Sequence, residues 1–182
     1  DGRDVERLFT DRPWATLIAT DADADVPTLR GAGMLAAGGG WMAVTEDHCV
    51  VDDDWLREFS ACRDTAFQVT GGGMGNARGG LVNWAAFFSE YGFFSSARPA
   101  GEGFSLVTGA NALYAPDVSA RVAAWAADGM WEDVIHHRLA SDGARFRFLP
   151  GARVRQNTTY GIASFCIDRF EHGRDYATTR VI

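Results

Sequence analysis

The sequence predicts an α/β protein built on a mixed sheet, and three observations carry that expectation. Short apolar runs of strand length alternate along the chain with helix-length segments of helical periodicity. Two late runs, Arg145 to Leu149 and Ala152 to Arg155, lie close enough in sequence to form an antiparallel pair, which makes the sheet mixed. No internal repeat, low-complexity tail or composition shift divides the 182 residues, so a single domain over 1–182 is expected, and 47% apolar residues suffice for its core.

Taken in order, Ala15 to Thr20 is a short run with enough branched residues to read as a buried strand, and Thr28 to Ala37 has helical spacing. A strand over Trp41 to Thr45 ends in the acidic turn Glu46, Asp47, His48. Asp52, Asp53 and Asp54 then open a helix through Cys62, where carboxylates meet the positive end of the helix. Thr65 to Thr70 alternates like a strand, and the glycine-rich Gly71 to Gly80 reads as a flexible connector into an aromatic helix, Leu81 to Phe94. Pro116 and Asp117 start an alanine-rich helix closed by Gly129. Glu132 to Ser141 forms another, ending near Gly143, and a helical stretch follows the two late strands.

Charge and composition exclude several functions. The 17 basic residues are all arginine, so neither a Schiff-base lysine nor a P-loop lysine exists. A net charge of -7 repels a nucleic-acid backbone, so no nucleic-acid partner is expected. Cys49, Cys62 and Cys166 are odd in number and widely spaced, as reduced thiols of a cytoplasmic protein would be. The longest charge-free apolar stretch, Gly31 to Thr45, is too short and glycine-rich to span a bilayer, and no signal peptide is evident. The serine-hydrolase elbow GxSxG and the zinc-protease motif HExxH are both missing from the chain.

Two acidic motifs remain as candidate chemistry. Glu46, Asp47 and His48 follow a strand directly, at a sheet edge where α/β proteins place ligands; carboxylates suit Mg²⁺ or Mn²⁺ and imidazole suits Mn²⁺. The bland alternative is an exposed turn that caps the next helix. Glu132 and Asp133 open a helix, and one of them could serve as general base on an acceptor hydroxyl; equally, both could merely complement the helix dipole, with His136 and Glu132 an ordinary surface pair. The stripe Trp84, Phe87, Phe88, Tyr91 reads as core or acceptor-cleft packing. Arg169, His172 and Arg174 either face a diphosphate or form a solvated helix face. A thiol nucleophile at Cys49, beside His48, is disfavoured because chain neighbours point in different directions.

In sequence order these features resemble a family 2 glycosyltransferase of the GT-A fold. The resemblance runs through Val26-Pro27-Thr28-Leu29-Arg30-Gly31-Ala32-Gly33, Ala37-Gly38, the strand Trp41 to Thr45 with Glu46-Asp47-His48-Cys49, and Asp54-Trp55-Leu56. It continues in Gly109-Ala110-Asn111-Ala112-Leu113-Tyr114 and in Trp131-Glu132-Asp133 with Arg138, Leu139 and Gly143. It implies a mixed, mostly parallel sheet with helices on both faces and a truncated Rossmann-like N-terminal part. Asp1-Gly2-Arg3-Asp4 is similar to the acidic turn after the family's second strand, so the first βαβ segment is expected to be missing, and the C-terminus is also expected to be incomplete.

The function implied is inverting transfer of a sugar from a nucleotide-diphosphate donor to a glycan, lipid-linked or small-molecule acceptor. Glu46 and His48 occupy the outer places of the family's DxD triplet around Asp47, and these three would hold the divalent cation, Mn²⁺ or Mg²⁺. Asp133, with Glu132 as substitute, matches the catalytic base; Glu46, Asp47, Arg30, Arg169 and Arg174 would contact the donor. The implied location is the cytoplasm, at the inner face of the membrane when peripherally attached. The alternatives are a catalytically silent sugar-nucleotide-binding module or remnant, and a nucleotidyltransferase using the same carboxylates.

Overall fold

The protein is described by a computed structural model, which covers residues 12–63 and 66–179. Its elements are α1 (Val26–Ala36), β1 (Met42–Thr45), β2 (Cys49–Val51), α2 (Trp55–Ala61), β3 (Val69–Asn76), α3 (Leu81–Tyr91) with a 3₁₀ turn Gly92–Phe94, β4 (Gly101–Glu102), β5 (Asn111–Tyr114), α4 (Pro116–Ala127), α5 (Glu132–Ser141), β6 (Phe146–Gln156) and α6 (Ile162–Thr179). The α/β expectation and the mixed sheet hold. Asp1 to Asp4 and Thr65 lie outside the described residues.

The strands run β1-β5-β3-β6-β2, with β4 beside the first half of β6. Only β3 and β6 pair in parallel; β1–β5, β5–β3, β4–β6 and β2–β6 are antiparallel. The sheet is therefore not mostly parallel among the described strands. Helices do cover both faces. Ala112 and Tyr114 of β5 pack with Met34 of α1, Val122 of α4 and Leu139 of α5, whereas the intervening Leu113 packs with Phe59 of α2. That alternation is the period-two side-chain pattern of a strand buried on both sides.

The two ends of the strand order, β1 and β2, are joined by only Glu46, Asp47 and His48. Five strands laid flat separate their outer members by about 19 Å. The four backbone steps from Thr45 to Cys49 reach at most about 14 Å, and the Cys49 N–H donates to the Glu46 carbonyl at 3.1 Å, shortening the link further. The sheet must curl until its edges approach, and the acidic turn bridges them.

The glycine-rich segment is where the structure departs most from expectation. Gly71 to Asn76 is no connector but most of β3, the central strand. A Cβ on Gly72 would lie 2.2 Å from the Ala152 carbonyl oxygen and 2.3 Å from Asn111 Nδ2, and one on Gly71 would lie 2.5 Å from Val107. The glycines serve close approach here, since none of them has positive φ. The space they free is filled by Asn111, whose amide donates to the Gly73 carbonyl at 3.0 Å and the Ala152 carbonyl at 2.8 Å, and whose oxygen accepts from Trp55 Nε1 at 2.8 Å. Those carbonyls sit at the register shift between Gly72 and Met74 in the β3–β6 ladder, where a bulge leaves backbone groups in need of partners.

The two late strands are a single one. Pro150-Gly151, which separates the two late runs, is absorbed as an irregularity in β6, and both halves continue beside β3 rather than pairing with each other. Ala15 to Thr20 is not a strand: it pairs with nothing in the sheet, and Leu17 and Ile18 remain exposed. Its branched residues favour a pleated surface only where a neighbouring strand supplies one. His136 likewise faces inward on α5 rather than pairing with Glu132 on the surface. It is fully buried, with Nε2 2.8 Å from the Tyr114 hydroxyl and its ring edge-on to Phe146.

Two predictions follow from this packing. Gly72→Ala drives a methyl group into backbone and should lower unfolding stability by about 3 kcal/mol or more, whereas Gly79→Ala, with nothing within 4 Å, should change it by less than about 0.5 kcal/mol; urea titration of both variants measures the contrast. Burial pushes the His136 imidazole down to about 4 from an ordinary 6.5, so as pH falls the unfolded chain takes up this proton first. The stability it contributes is complete above pH 6.5 and is lost toward pH 4, about 2 kcal/mol between pH 7.5 and 5. His136→Gln, which retains a polar partner for Tyr114, should flatten that slope; an equally steep slope in the variant would assign the pH dependence elsewhere.

Candidate functional site

The site begins with Arg30 on α1. Asp25 caps that helix by accepting from the Thr28 N–H at 2.9 Å, and Pro27 sits in its first turn. Gly31 lets α1 cross close to α4, since a Cβ there would lie 2.2 Å from the Ala127 nitrogen. The crossing aims Arg30 between the two acidic motifs. Its Nη2 pairs with Glu46 Oε1 at 2.7 Å and its Nη1 with Glu132 Oε2 at 2.6 Å, on a side chain only 10% exposed. Burial opposes the guanidinium's charge, but Glu132 and Glu46 more than offset it, so its proton is held more firmly than usual. Burial raises the Glu46 carboxyl above its ordinary value even against the pull of Arg30.

The other Glu46 oxygen, Oε2, accepts from the Tyr91 hydroxyl at 3.3 Å and lies 3.4 Å from His48 Nε2. Tyr91 Oη is itself 3.2 Å from His48 Nε2, and burial followed by Glu46 raises the tyrosine hydroxyl well above its ordinary value. His48 Nδ1 faces Asp47 Oδ1 at 3.4 Å, on a carboxylate fully in solvent. Cys49, the first residue of β2, is half-buried, and burial followed by Glu46 pushes its thiol up to about 12.

Arg30, Glu46, Asp47, His48, Tyr91 and Glu132 open onto one cavity of about 460 Å³. Among the described residues five carboxylates line it, Glu46, Asp47, Glu90, Glu132 and Asp133, against the single guanidinium of Arg30; Trp131, Phe94 and Leu106 provide apolar wall. Such a concave site, part apolar and part convergent polar groups, is the ordinary form of a small-molecule pocket. Its charge disfavours a bare polyanion and favours a cation, or an anion that arrives with one. A divalent ion fits the donor set, because Glu46 and His48 already converge within 3.4 Å and open positions face the cavity.

The structure brings Arg30, Glu46, Asp47, His48, Glu132 and Asp133 together. The structure gives several of these residues surroundings that the sequence does not record. Glu132, the substitute base, has one carboxylate oxygen paired with Arg30. Arg30 itself is engaged by two carboxylates rather than extended toward a donor. Asp47 points to solvent, and the residue whose ligand atom converges with those of Glu46 and His48 is Cys49, all three within 4.8 Å of one another. Arg169 is not among the cavity-lining residues; it pairs at 3.2 Å with Glu90, which is. Arg174, exposed on α6, is not among the lining residues, whereas His172, one helical turn past Arg169, lines the cavity with its ring edge-on to Trp131.

Sequence reasoning missed Tyr91 as a polar contributor, having absorbed it into the aromatic stripe. The available signal was its position: with Phe87, it is on the buried side of α3, while Trp84 and Phe88 remain exposed. No protein-family model matches the chain, and no curated protein matches it.

Arg30→Met removes the only guanidinium lining the cavity among the described residues and leaves Glu46 and Glu132 facing each other across an apolar side chain. Because both carboxylates retain some exposure, the expected loss at pH 7.5 is about 2 kcal/mol, below the range for a fully buried pair. Urea denaturation of wild type and variant tests it; an unchanged midpoint would mean that the bridge contributes nothing to folding.

Proposed function

We propose that this chain carries the catalytic cleft of a metal-assisted, inverting glycosyltransferase of the GT-A type. The observation that supports the reading best is one cavity lined by both acidic motifs, Glu46 to His48 and Glu132-Asp133, which are distant in sequence. The order of the resembling segments supports it as well. So does the cavity's charge, which suits a nucleotide diphosphate that enters with a divalent cation, Mn²⁺ or Mg²⁺.

In this reading Glu46 and His48 would hold the cation, with Asp47 able to turn in from solvent; when bound, the ion neutralises charge on the leaving diphosphate. Asp133 accepts the proton of the acceptor hydroxyl. As that proton moves, the acceptor oxygen forms its bond to the anomeric carbon from the face opposite the diphosphate. The carbon–oxygen bond to phosphate breaks, and its electron pair leaves with the nucleotide diphosphate, inverting the anomeric centre. Arg30 fixes Glu132 and Glu46, so the two halves of the cleft stay at a constant separation while Asp133, next to Glu132 on the first turn of α5, faces the acceptor. Trp131 and Leu106 supply an apolar surface for a sugar ring. The acceptor class is a glycan, a lipid-linked saccharide or a small hydroxyl compound, and the location is cytoplasmic, at the inner face of the membrane when attached. None of the helices described is long and apolar enough to cross a membrane.

One observation favours a second reading, a silent sugar-nucleotide-binding module: both oxygens of Glu46 are already engaged, by Arg30 on one side and by Tyr91 and His48 on the other. Turnover separates the two. With Mn²⁺ and a panel of UDP-, GDP- and dTDP-sugars, hydrolysis or transfer should be measurable and should fall at least about 100-fold in Asp133→Asn with its circular dichroism unchanged. Undiminished turnover in that variant removes Asp133 from the reaction, and metal-dependent binding without any turnover supports the silent module.

A further inference from the structure

The acidic turn carries a feature that the transferase reading does not use. Cys49 stands beside His48 with its sulfur turned toward the same point as the His48 imidazole and the Glu46 carboxylate, all within 4.8 Å of one another. We infer that Glu46, His48 and Cys49 form a site for a borderline-soft divalent cation, with Zn²⁺ as its preferred ion. The inference does not depend on sugar transfer.

Geometry is the first support. Tetrahedral coordination at Zn–N, Zn–O and Zn–S lengths sets donor atoms about 3.3–3.8 Å apart. Glu46 Oε2 and His48 Nε2 are already at 3.4 Å, and the sulfur, within 4.8 Å, has at most about an ångström to close, the scale of a small rotation about its side-chain bond. Arg30 supports the site from behind by holding Glu46 Oε1 at 2.7 Å, which turns Oε2 toward His48. This outer partner orients a carboxylate ligand in the way that resident metal sites require. The adjoining cavity leaves the fourth position open, with Tyr91 Oη, 3.3 Å from the carboxylate and 3.2 Å from the imidazole, placed to hydrogen-bond what occupies it.

The donor types decide the ion. A carboxylate and an imidazole alone would serve Mn²⁺ or Mg²⁺, but a thiolate is a poor ligand for either and a strong one for zinc. On binding, the sulfur forms its bond to the ion and its proton leaves to solvent, as expected for a coordinating thiol. Three protein ligands with one open position give the stoichiometry of a site that keeps a place for water or substrate. Because Zn²⁺ binds such donors more tightly than Mn²⁺, the two ions would compete for His48, and zinc would exclude manganese from the cleft.

Cobalt(II) tests the inference directly, in the metal-free chain and without any donor sugar. Addition of Co²⁺ should produce a thiolate-to-cobalt charge-transfer band in the near ultraviolet. The band should disappear in Cys49→Ser and persist in the Cys62→Ser/Cys166→Ser double variant. Zn²⁺ affinity, measured by competition with a chromophoric chelator, should fall in Cys49→Ser by at least the 10–100-fold that outer partners alone contribute, while Mn²⁺ affinity stays within a factor of about two. Should Cys49→Ser not fold, His48→Gln, at a half-exposed position, should show the same loss of zinc. Absence of the band in wild type, or zinc binding undiminished by either variant, overturns the site. Neither result bears on Asp133, whose test is turnover.

Discussion

A three-residue link between the two edges of the sheet is the constraint on which this architecture depends. Glu46 to His48 connects β1 to β2 although three other strands lie between them in the sheet. At the centre of the curled sheet, β3 has no room for a side chain on Gly72, against Ala152 of β6 and Asn111 of β5, nor on Gly71, against Val107. Asn111 then does what the interrupted ladder cannot, donating to carbonyls of both strands and accepting from the Trp55 indole of α2. A buried amide with its donors and acceptor all engaged is cheap to bury and specifies one arrangement. The same curl suspends the acidic turn between the two approaching edges of the sheet, so that a requirement of chain length becomes the position of the site.

Electrostatics sets what can occupy that site. The carboxylates around its cavity would repel each other strongly at low dielectric, and the structure answers with Arg30 at its base. The guanidinium's fork matches two carboxylates from different elements, as the point charge of a lysine would not, and the chain has no lysine. Glu90 is neutralised separately by Arg169. What remains is a cleft with excess negative charge beside an imidazole, with the Cys49 sulfur close behind Glu46 and His48, which favours cationic occupants. The transferase reading and the zinc inference are two consequences of that field, separated by whether the sulfur of Cys49 takes part.

Elements whose ends are marked by local chemistry were legible in advance. α5 begins at Glu132 and ends at Ser141, as read from the acidic first turn and from Gly143, whose positive φ stops the chain after it. α4 begins at Pro116, where a missing N–H costs nothing. β1 and the turn after it were equally clear. The misreadings share a physical cause. Gly71 to Gly75 reads as a linker by composition because glycine's flexibility is a property of the residue, whereas the need for a missing Cβ is a property of the neighbours. Arg145 to Leu149 and Ala152 to Arg155 read as two strands because the effect of the Pro150-Gly151 between them depends on whether a partner bridges the irregularity, and β3 does. Ala15 to Thr20 fails in the opposite sense, as strand-type residues with no strand to join.

The amino-acid sequence by itself determined the α/β class, the helix boundaries at Pro116 and Glu132, the exclusion of lysine chemistry and the two carboxylate motifs, because each depends on residue type and short-range spacing. Only the tertiary structure decided the mainly antiparallel pairing, the burial of His136 against Tyr114, the ion pair of Glu132 with Arg30, and the convergence of Cys49 with Glu46 and His48. Those outcomes depend on which surfaces meet across long stretches of chain. A carboxylate's role is set by the charge that folding brings beside it, and no local pattern records that partner.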